Sequence, residues 1–415
     1  MTATTVSPIK ILIDKQRDFF ESNATRDVDY RIKQLKKLKK VLQVNEQEIY
    51  TALYTDFKKS AFETYATEMG LLYDEIGCML KNIKKWAIPE VVKDTVVNFP
   101  SRNYIYPDPY GVCLVIGAWN YPLQLTLLPI VGAMAAGNTC IIKPPRAAIN
   151  TYRIIQKIIS GNFDENYLAV LDEQTDNNEM LTYRYDYIFF TGSTEVGKTI
   201  ARAAAEFLTP TTLELGGKSP CIVDKQVDIE VAAKRIAWGK FLNGGQTCVA
   251  PDYLLIHESV KDKFYKAFEN AVTSFYGKNP QASADFPRII NDKHFKRLTS
   301  MITDGKIIVG GKTDAETRYI APTLIEINSL EHPLMQDEIF GPILPVISIA
   351  SIEDAIRIVK QFEKPLAFYI FSNNYAHQQK CLNTVQFGGG CINDTVAHLA
   401  NDGLPFGGVG GSGVG

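Results

Sequence analysis

The fold of this chain is decided by Val112-Cys113-Leu114-Val115-Ile116-Gly117. An unbroken apolar run that ends at a glycine is typical of a β-strand buried on both faces. Similar runs stand at 139–143 and 187–190, and the segments 125–136 and 152–159 between them have the pattern of helices. Strands that alternate with helices predict a doubly wound parallel sheet in an α/β protein.

The regions outside these strands have different patterns. Between 11 and 87, apolar residues recur every three or four positions and Pro and Gly are almost absent, which predicts helices. Residues 96–110 combine prolines with aromatic and β-branched residues, which predicts an extended crossing segment. A helix is expected from Thr194, and a second α/β region is expected from Ile229. Its strands are expected at 307–309, in the 340s and at 367–371.

Composition narrows the class of protein. The 415 residues are 46% hydrophobic and 22% charged, which is ordinary for a globular enzyme with two or three structural units. The net charge is −2, so the chain has no excess of positive charge that would attract a nucleic acid, and we expect no nucleic-acid partner. The basic run 31–40 has apolar residues at helical spacing and predicts the solvated face of an amphipathic helix, with a membrane-surface patch as the alternative.

The cysteines and histidines suggest neither a disulfide framework nor a metal site. The seven cysteines have no CxxC spacing and the five histidines are scattered, so we expect no metal. The sequence shows no signal peptide and no run of about 20 apolar residues. These features favour a cytoplasmic protein in a reducing compartment.

One cysteine has a sequence context that favours chemistry over packing. Cys248 follows Asn243-Gly244-Gly245-Gln246-Thr247, which is a poor core segment, and Glu214 lies 34 residues before it. A thiolate that attacks a carbonyl and a carboxylate that then activates water are the two groups that covalent aldehyde oxidation requires. The alternative is an inert buried thiol and a surface carboxylate.

With these residues in view, the chain resembles the NAD(P)-dependent aldehyde dehydrogenases, in particular the class 3 or fatty-aldehyde-dehydrogenase-like branch and its bacterial, cyanobacterial-looking members. The resemblance begins near Arg26 and runs to the C-terminus, through motifs that occur in the family's order. They are Gly117-Ala118-Trp119-Asn120-Tyr121-Pro122, Ala136-Gly137-Asn138-Thr139, Ile142-Lys143-Pro144, Phe190-Thr191-Gly192-Ser193-Thr194-Glu195-Val196-Gly197, 213–220, 245–251, Glu338-Ile339-Phe340-Gly341-Pro342 and 404–413.

The resemblance implies three structural parts. Residues 1–95 and 111–215 would form the dinucleotide-binding domain, and 216–395 the catalytic domain. Segments 96–110 and 396–415 would form a small oligomerisation element, and the branch implies a homodimer. Family members continue beyond the Gly-Gly-Ser-Gly motif, so we expect membrane contact only through a C-terminal tail of that kind, outside the sequence that ends at Gly415.

The resemblance also implies a cofactor site for NAD or NADP. Its residues would be Trp119, Lys143, Arg146, Gly192, Ser193, Gly197, Glu338 and Phe340. A helix that opens after Gly192 and Ser193 suits a pyrophosphate, because its N-terminus favours negative charge. The alternative for this segment is a simple Ser/Thr helix cap. Glu338 and Phe340 would hold the nicotinamide ribose and pack beside the ring.

The sequence departs from the family beside Lys143, which would reach the adenosine ribose. The usual Lys-Pro-Ser-Glu is Lys143-Pro144-Pro145-Arg146 in this chain. A cation in place of the glutamate can pair with a 2′-phosphate, so NADP use becomes plausible. In the alternative, Arg146 points to solvent and NAD binds through other contacts.

The implied mechanism gives Cys248 the role of nucleophile, and Asn120 would donate to the oxyanion of the thiohemiacetal. Glu214 would deprotonate the water that hydrolyses the thioester. We expect a small-molecule aldehyde of medium or long chain, or another hydrophobic aldehyde such as an aromatic or apocarotenal-like one. The alternatives are a CoA-acylating aldehyde dehydrogenase and a non-catalytic protein that binds aldehyde or cofactor.

Overall fold

The computed structural model describes residues 7–415, and two kinds of elements make up most of this range. The α-helices are α1 Pro8–Glu21, α2 Val28–Val44, α3 Glu46–Phe57, α4 Ala61–Thr64, α5 Gly70–Trp86, α6 Gln124–Ala136, α7 Ile149–Ser160, α8 Asn177–Met180, α9 Thr194–Ala205, α10 Ile229–Phe241, α11 Lys261–Tyr276, α12 Asp292–Thr299, α13 Pro333–Gln336, α14 Ile352–Val359 and α15 Tyr375–Thr384. The strands are β1 Glu90–Val92, β2 Asn103–Ile105, β3 Val112–Ile116, β4 Thr139–Lys143, β5 Leu168–Val170, β6 Tyr187–Thr191, β7 Thr211–Glu214, β8 Pro220–Val223, β9 Tyr253–His257, β10 Lys306–Val309, β11 Thr313–Asp314, β12 Tyr319–Ile320, β13 Thr323–Glu326, β14 Ile343–Ile349, β15 Ala367–Phe371, β16 Gly389–Ile392 and β17 Gly413–Val414.

The chain forms two compact units. The first comprises the described residues up to Ala52 together with Thr64–Thr191 and Thr199–Thr211. The second comprises Leu53–Glu63, Gly192–Lys198 and Thr212–Gly415. The three-part division implied by the family resemblance stays a prediction.

The first unit is built on parallel strands in the order β6-β3-β4-β5. All five residues of β4 are buried, and four of the five in β3 are buried, as expected for a sheet covered on both faces. Helices α1, α6 and α7 pack on these strands. The α/β fold class predicted from the alternation is therefore confirmed, and helix α7 begins three residues before the predicted 152.

The basic run of helix α2 differs in part from its prediction as a solvated face. Arg31 is buried, and its guanidinium donates hydrogen bonds to the carbonyls of Thr25, Arg26 and Ala135. Gly137 ends α6 with φ of 96°, and a Cβ there would stand 2.8 Å from the Arg31 guanidinium. The cation therefore ties α2 to α6, a role that charge periodicity alone does not reveal.

Strands β1 and β2 pair as an antiparallel hairpin with largely exposed side chains. The prediction of an extended segment at 96–110 located β2 but not β1, which begins at Glu90. Three residues are too few for a strand period to be recognised in the sequence.

The second unit has a seven-stranded sheet in the order β10-β13-β14-β9-β8-β15-β16, parallel except at β10. Cys221 and Val223 of β8 face a core that includes α10 and α11, while Ile222 faces a second core. Both faces of the sheet are covered, which explains the continuous apolar runs in its central strands. The strands expected at 307–309, in the 340s and at 367–371 are all present.

Candidate active site

The turn before Cys248 has an unusual backbone. Helix α10 ends at Phe241, and the next residues Asn243, Gly244 and Gly245 have φ of 53°, 61° and 74°. A Cβ at Gly245 would stand 2.3 Å from the carbonyl oxygen of Gly341, so only glycine fits this close approach. The backbone conformation of this loop therefore requires the glycines that suggested a reactive loop in the sequence.

Gln246 fixes this loop from within. Its side-chain amide donates to the carbonyls of Asn243 at 3.0 Å and Arg288 at 3.1 Å, and its oxygen accepts from the Ile290 N–H at 3.0 Å. The side chain is fully buried, so these bonds are shielded from water. The sequence indicated a poor core segment before Cys248, and the burial of Gln246 shows that this prediction was wrong for its side chain.

Cys248 is a partly buried free thiol. Its pKa is raised to about 12, chiefly by burial and also by the neighbouring carboxyl groups of Glu338 and Glu214, while the backbone N–H groups of Cys248 and Val249 act in the opposite direction. Near neutral pH the sulfur therefore carries its proton in the absence of substrate and cofactor. Deprotonation must accompany their binding.

Glu214 ends strand β7, where Gly413 of β17 pairs with it and the Gly192 N–H donates to its carbonyl at 3.0 Å. Burial raises the pKa of its carboxyl group to about 7. Its Oε2 is buried and accepts no hydrogen bond from the residues that the structure describes. A desolvated carboxylate with a free acceptor and a pKa near neutrality is suited to take a proton from water.

Glu338 lies against the glycines that follow Glu214. A Cβ on Gly216 would stand 2.1 Å from Glu338 Oε2, and the Gly217 N–H donates to the carboxyl group. Burial and the Asp252 charge raise the pKa of Glu338 to about 8, while Gly217, Lys218 and Arg297 lower it. The second unit therefore brings Cys248, Glu214 and Glu338 within electrostatic reach of one another.

The sequence left two alternatives for Lys218, a surface charge or a residue whose backbone helps to seat the nicotinamide end, and the structure excludes a surface charge. The Lys218 side chain is buried and donates to Asp252 Oδ2 at 2.5 Å and to the carbonyls of Leu334 and Asp337 at 2.8 and 2.9 Å. Asp252 Oδ1 in turn accepts from the Ile339 N–H at 2.9 Å. This ion pair fixes the backbone on both sides of Glu338.

In the first unit, Trp119 and Asn120 follow the carboxyl end of β3, where open α/β sheets bind their ligands. A Cβ on Gly117 would stand 2.1 Å from Thr126 Oγ1, so the chain passes close to helix α6. Asn120 is buried.

The start of α6 is held by Glu68, whose buried carboxylate accepts hydrogen bonds from the N–H groups of Leu123 and Gln124 at 2.9 and 3.2 Å. Sequence reasoning missed Glu68, which looked like one charge among many on a helix.

Lys143 and Arg146 lie at and after the end of β4. Lys143 is buried and donates to the Asp172 carbonyl at 2.8 Å; burial and Arg146 lower its pKa to about 8. Arg146 is exposed and donates to the Thr175 carbonyl. Both cations thus lie at the strand edge that the sequence predicted, and their roles toward a cofactor stay predictions.

The Gly192–Gly197 motif has a structural reason besides ligand approach. Helix α9 begins at Thr194, directly after Gly192 and Ser193. A Cβ on Gly197 would stand 2.7 Å from Leu215 Cδ2, so this glycine allows α9 to pack beside the residue that follows Glu214. The cofactor contact predicted for Gly197 stays a prediction, and this packing is a second requirement for glycine at the same position.

The donor set fits a dinucleotide. Its parts are the α9 N-terminus for phosphate and the Glu338 carboxyl group for hydroxyls. Phe340, two residues after Glu338, has a backbone φ of 53°.

No group of three or more potential metal-ligating side chains occurs within residues 7–415. No helix within that range is long and apolar enough to cross a bilayer.

The chain is similar to known proteins over nearly its whole length. A model of the aldehyde dehydrogenase family matches residues 1–415. The 4,4'-diaponeurosporen-aldehyde dehydrogenase of Staphylococcus aureus is 47% identical over 400 residues, which cover 96% of this chain and 87% of that protein. The dimeric NADP-preferring aldehyde dehydrogenase of Rattus norvegicus is 43% identical over 411 residues, which cover 99% of this chain and 91% of that protein.

A solved structure, that of the substrate-bound state of Staphylococcus aureus AldH, superposes with a TM-score of 0.96 at 45% identity and covers 99% of this chain and 90% of that one. The chain therefore belongs to the aldehyde dehydrogenase family. The enzyme class expected from the motifs, an NAD(P)-dependent aldehyde dehydrogenase of the class 3-like branch, is confirmed. The cyanobacterial affinity stays a prediction.

Proposed function

We propose that this enzyme oxidises hydrophobic aldehydes to carboxylic acids with Cys248 as nucleophile and Glu214 as the hydrolytic base. The observation that carries the proposal is Glu214 itself. Its buried, unpartnered Oε2 and its pKa of about 7 make it a base that is half ionised near neutrality. The charge of Glu214 raises the pKa of the Cys248 thiol. The two side chains are therefore within electrostatic reach in the second unit, as a base that hydrolyses a thioester on Cys248 must be.

The chemistry begins when the Cys248 thiol releases its proton to solvent and the sulfur attacks the aldehyde carbon. The resulting oxyanion accepts from the Cys248 backbone N–H, and Asn120 is predicted to be the second donor. A bound nicotinamide supplies the acceptor for the hydride that leaves this carbon. Glu214 then takes a proton from water while the water oxygen attacks the thioester carbonyl. The C–S bond breaks, which releases the carboxylic acid and returns the Cys248 sulfur.

The cofactor is proposed to contact Trp119, Lys143, Arg146, Gly192, Ser193, Gly197, Glu338 and Phe340. The exposed Arg146 in place of an acidic residue favours NADP, because a guanidinium pairs with a 2′-phosphate. The name of the rat relative, which is NADP-preferring, supports the same preference.

Hydrophobic substrates are supported by the Staphylococcus aureus relative, whose name gives a diaponeurosporen-aldehyde as its substrate. An apolar tail gains about 0.8 kcal/mol per buried CH₂, so such a site favours longer chains. The dimeric rat relative supports a homodimer. Cytoplasmic localisation completes the proposal and agrees with seven free cysteines.

The deciding experiment measures NADH and NADPH formation with straight-chain aldehydes of about two to sixteen carbons, with and without CoA. We expect KM to fall from short to medium chains and then to level off, with NADP⁺ preferred and no requirement for CoA. A strong preference for the two-carbon aldehyde would contradict the hydrophobic substrate class. Turnover that depends on CoA would contradict hydrolysis by Glu214.

A further inference from the structure

Glu63 is a buried carboxylate beside an exposed aromatic residue. It lies in the short helix α4 and belongs to the part of the chain that is included in the second unit. Only 8% of Glu63 is exposed, whereas its neighbour Phe62 is 81% exposed. Hydropathy predicts the reverse orientation, because carboxylates are almost never buried without a partner. The inward orientation therefore indicates a contact that the carboxylate makes inside the protein.

That contact is with the loop that leads to Cys248. Glu63 Oε1 accepts a hydrogen bond from the Asn243 N–H at 2.5 Å, and the bond is buried. Asn243 comes two residues after the end of helix α10 and five residues before Cys248. A carboxylate acceptor makes this bond stronger than a neutral acceptor would. Glu63 therefore fixes the first residue of the turn.

The turn needs this support because of its backbone. Asn243, Gly244 and Gly245 all have positive φ values. Consecutive residues in sparsely populated conformations persist only where the surrounding structure determines them. Gln246 fixes the far end of the turn through its buried hydrogen bonds. Glu63 does the same at the near end.

The corner between helices α3 and α4 reaches this loop by a second route. The Arg288 N–H donates to the carbonyl of Phe57, the last residue of α3, at 2.6 Å. The Arg288 carbonyl in turn accepts from the side-chain amide of Gln246 at 3.1 Å. The path of the loop before Cys248 thus depends on a segment 180 residues earlier in the chain.

We propose that Glu63 is a positioning residue that sets the location of the Cys248 thiol and backbone N–H for attack on the aldehyde. The inference rests on the proposed function, in which the sulfur attacks and the Cys248 N–H donates to the oxyanion. A shift of the loop would move the nucleophile and this donor together. A misplacement of about 1 Å can lower a rate by about a hundredfold. The property that matters is the position of Glu63 Oε1, since the carboxylate exchanges no proton in the reaction.

The test compares Glu63→Gln, Glu63→Asp and Glu63→Ala in steady-state kinetics of the full-length enzyme with NADP⁺ and a medium-chain aldehyde. Glu63→Gln retains an acceptor oxygen at the same position, so kcat should stay within about threefold of the wild type. Glu63→Asp keeps the charge but withdraws the oxygen by one methylene group, so kcat should fall about tenfold to a hundredfold, as in Glu63→Ala. NADPH affinity, followed by nicotinamide fluorescence, should not change. Glu269→Ala, an exposed carboxylate of helix α11 in the same unit, is the control and should behave as wild type.

Hydrogen exchange separates this role from a general loss of stability. Peptides that cover residues 241–250 should exchange faster in Glu63→Asp and Glu63→Ala but not in Glu63→Gln, because the Asn243 N–H loses its acceptor only in the first two. Peptides from strand β15 should exchange as in the wild type. Equal loss of kcat in Glu63→Gln and Glu63→Asp, faster exchange across β15, loss of NADPH affinity, or wild-type kcat in Glu63→Asp would each overturn the inference.

Failure of the proposed function has a different signature. If the wild type oxidises no aldehyde, the proposed function fails, while hydrogen exchange at 241–250 still decides whether Glu63 fixes the loop. If the wild type oxidises aldehydes and Glu63→Asp is as active, the proposed function stands and only the role of Glu63 falls.

Discussion

The carboxyl group of Glu338 lies directly against Gly216, where a Cβ would stand 2.1 Å from Oε2 and 2.8 Å from the carboxyl carbon. Gly216 comes two residues after Glu214, and the next N–H, that of Gly217, donates to Glu338. One short turn after β7 therefore positions both the proposed hydrolytic base Glu214 and the carboxyl group proposed to bind the ribose. Changes in this turn should affect cofactor and base together.

Gly216→Ala should weaken cofactor binding without unfolding the protein. The new methyl group must displace the Glu338 carboxyl group, and overpacking of this kind is unfavourable by about 1–3 kcal/mol. We expect KM for NADP⁺ to rise at least about tenfold. Gly77→Ala in helix α5 is the control, because a Cβ there meets no atom within 4 Å. An unchanged KM in Gly216→Ala would show that Glu338 does not set cofactor affinity.

Glu214→Gln should slow thioester hydrolysis by about 10²–10⁴-fold, the usual contribution of a general base, and leave hydride transfer nearly intact. A rapid burst of NADPH followed by a slow steady state is expected. Because the pKa of Glu214 is about 7, the ionised base accumulates above that pH, so wild-type hydrolysis should accelerate as pH rises through 7. The exposed Glu206→Gln serves as control. A slowed burst with unaffected hydrolysis would assign Glu214 another role.

Alkylation of Cys248 by iodoacetamide should be slow near neutral pH in the cofactor-free enzyme. Its pKa of about 12 leaves little thiolate below pH 10, so the rate should rise steadily with pH over the accessible range. Peptide mapping after a timed reaction, with the partly buried Cys78 as an internal comparison, measures this directly. A plateau of the Cys248 rate below pH 8 would mean that its thiolate is already stabilised without ligands.

Arg146→Glu should shift cofactor preference toward NAD. The substitution replaces a cation that can pair with the 2′-phosphate by a carboxylate that repels it and accepts the ribose hydroxyls. We expect the NADP to NAD ratio of kcat/KM to fall by about tenfold to a hundredfold. Arg184→Glu, another exposed charge reversal in the same unit, should leave the ratio unchanged. If Arg146→Glu also leaves it unchanged, the hydrogen bond to the Thr175 carbonyl is the whole role of Arg146.

The sequence predicted the elements with long apolar periods and the reactive residues that stand in long motifs. Strands β3 and β4 were located because buried parallel strands have unbroken apolar runs, and Cys248 and Glu214 because glycines surround them. Glu68 and Lys218 were missed as structural groups, because a single charged residue in a sequence looks like surface. Their burial is decided by distant partners, such as the N-terminus of α6 for Glu68 and Asp252 for Lys218.

The central claim, a covalent Cys248 thioester released by Glu214, is tested most directly by intact-protein mass spectrometry of Glu214→Gln. The variant is mixed with NADP⁺ and a medium-chain aldehyde, quenched in acid within one turnover of the wild type, and digested to locate the adduct. We expect the mass of one acyl group on Cys248, and no adduct when Cys248→Ala is combined with Glu214→Gln. An adduct elsewhere, or NADPH formation by the double variant, would contradict it.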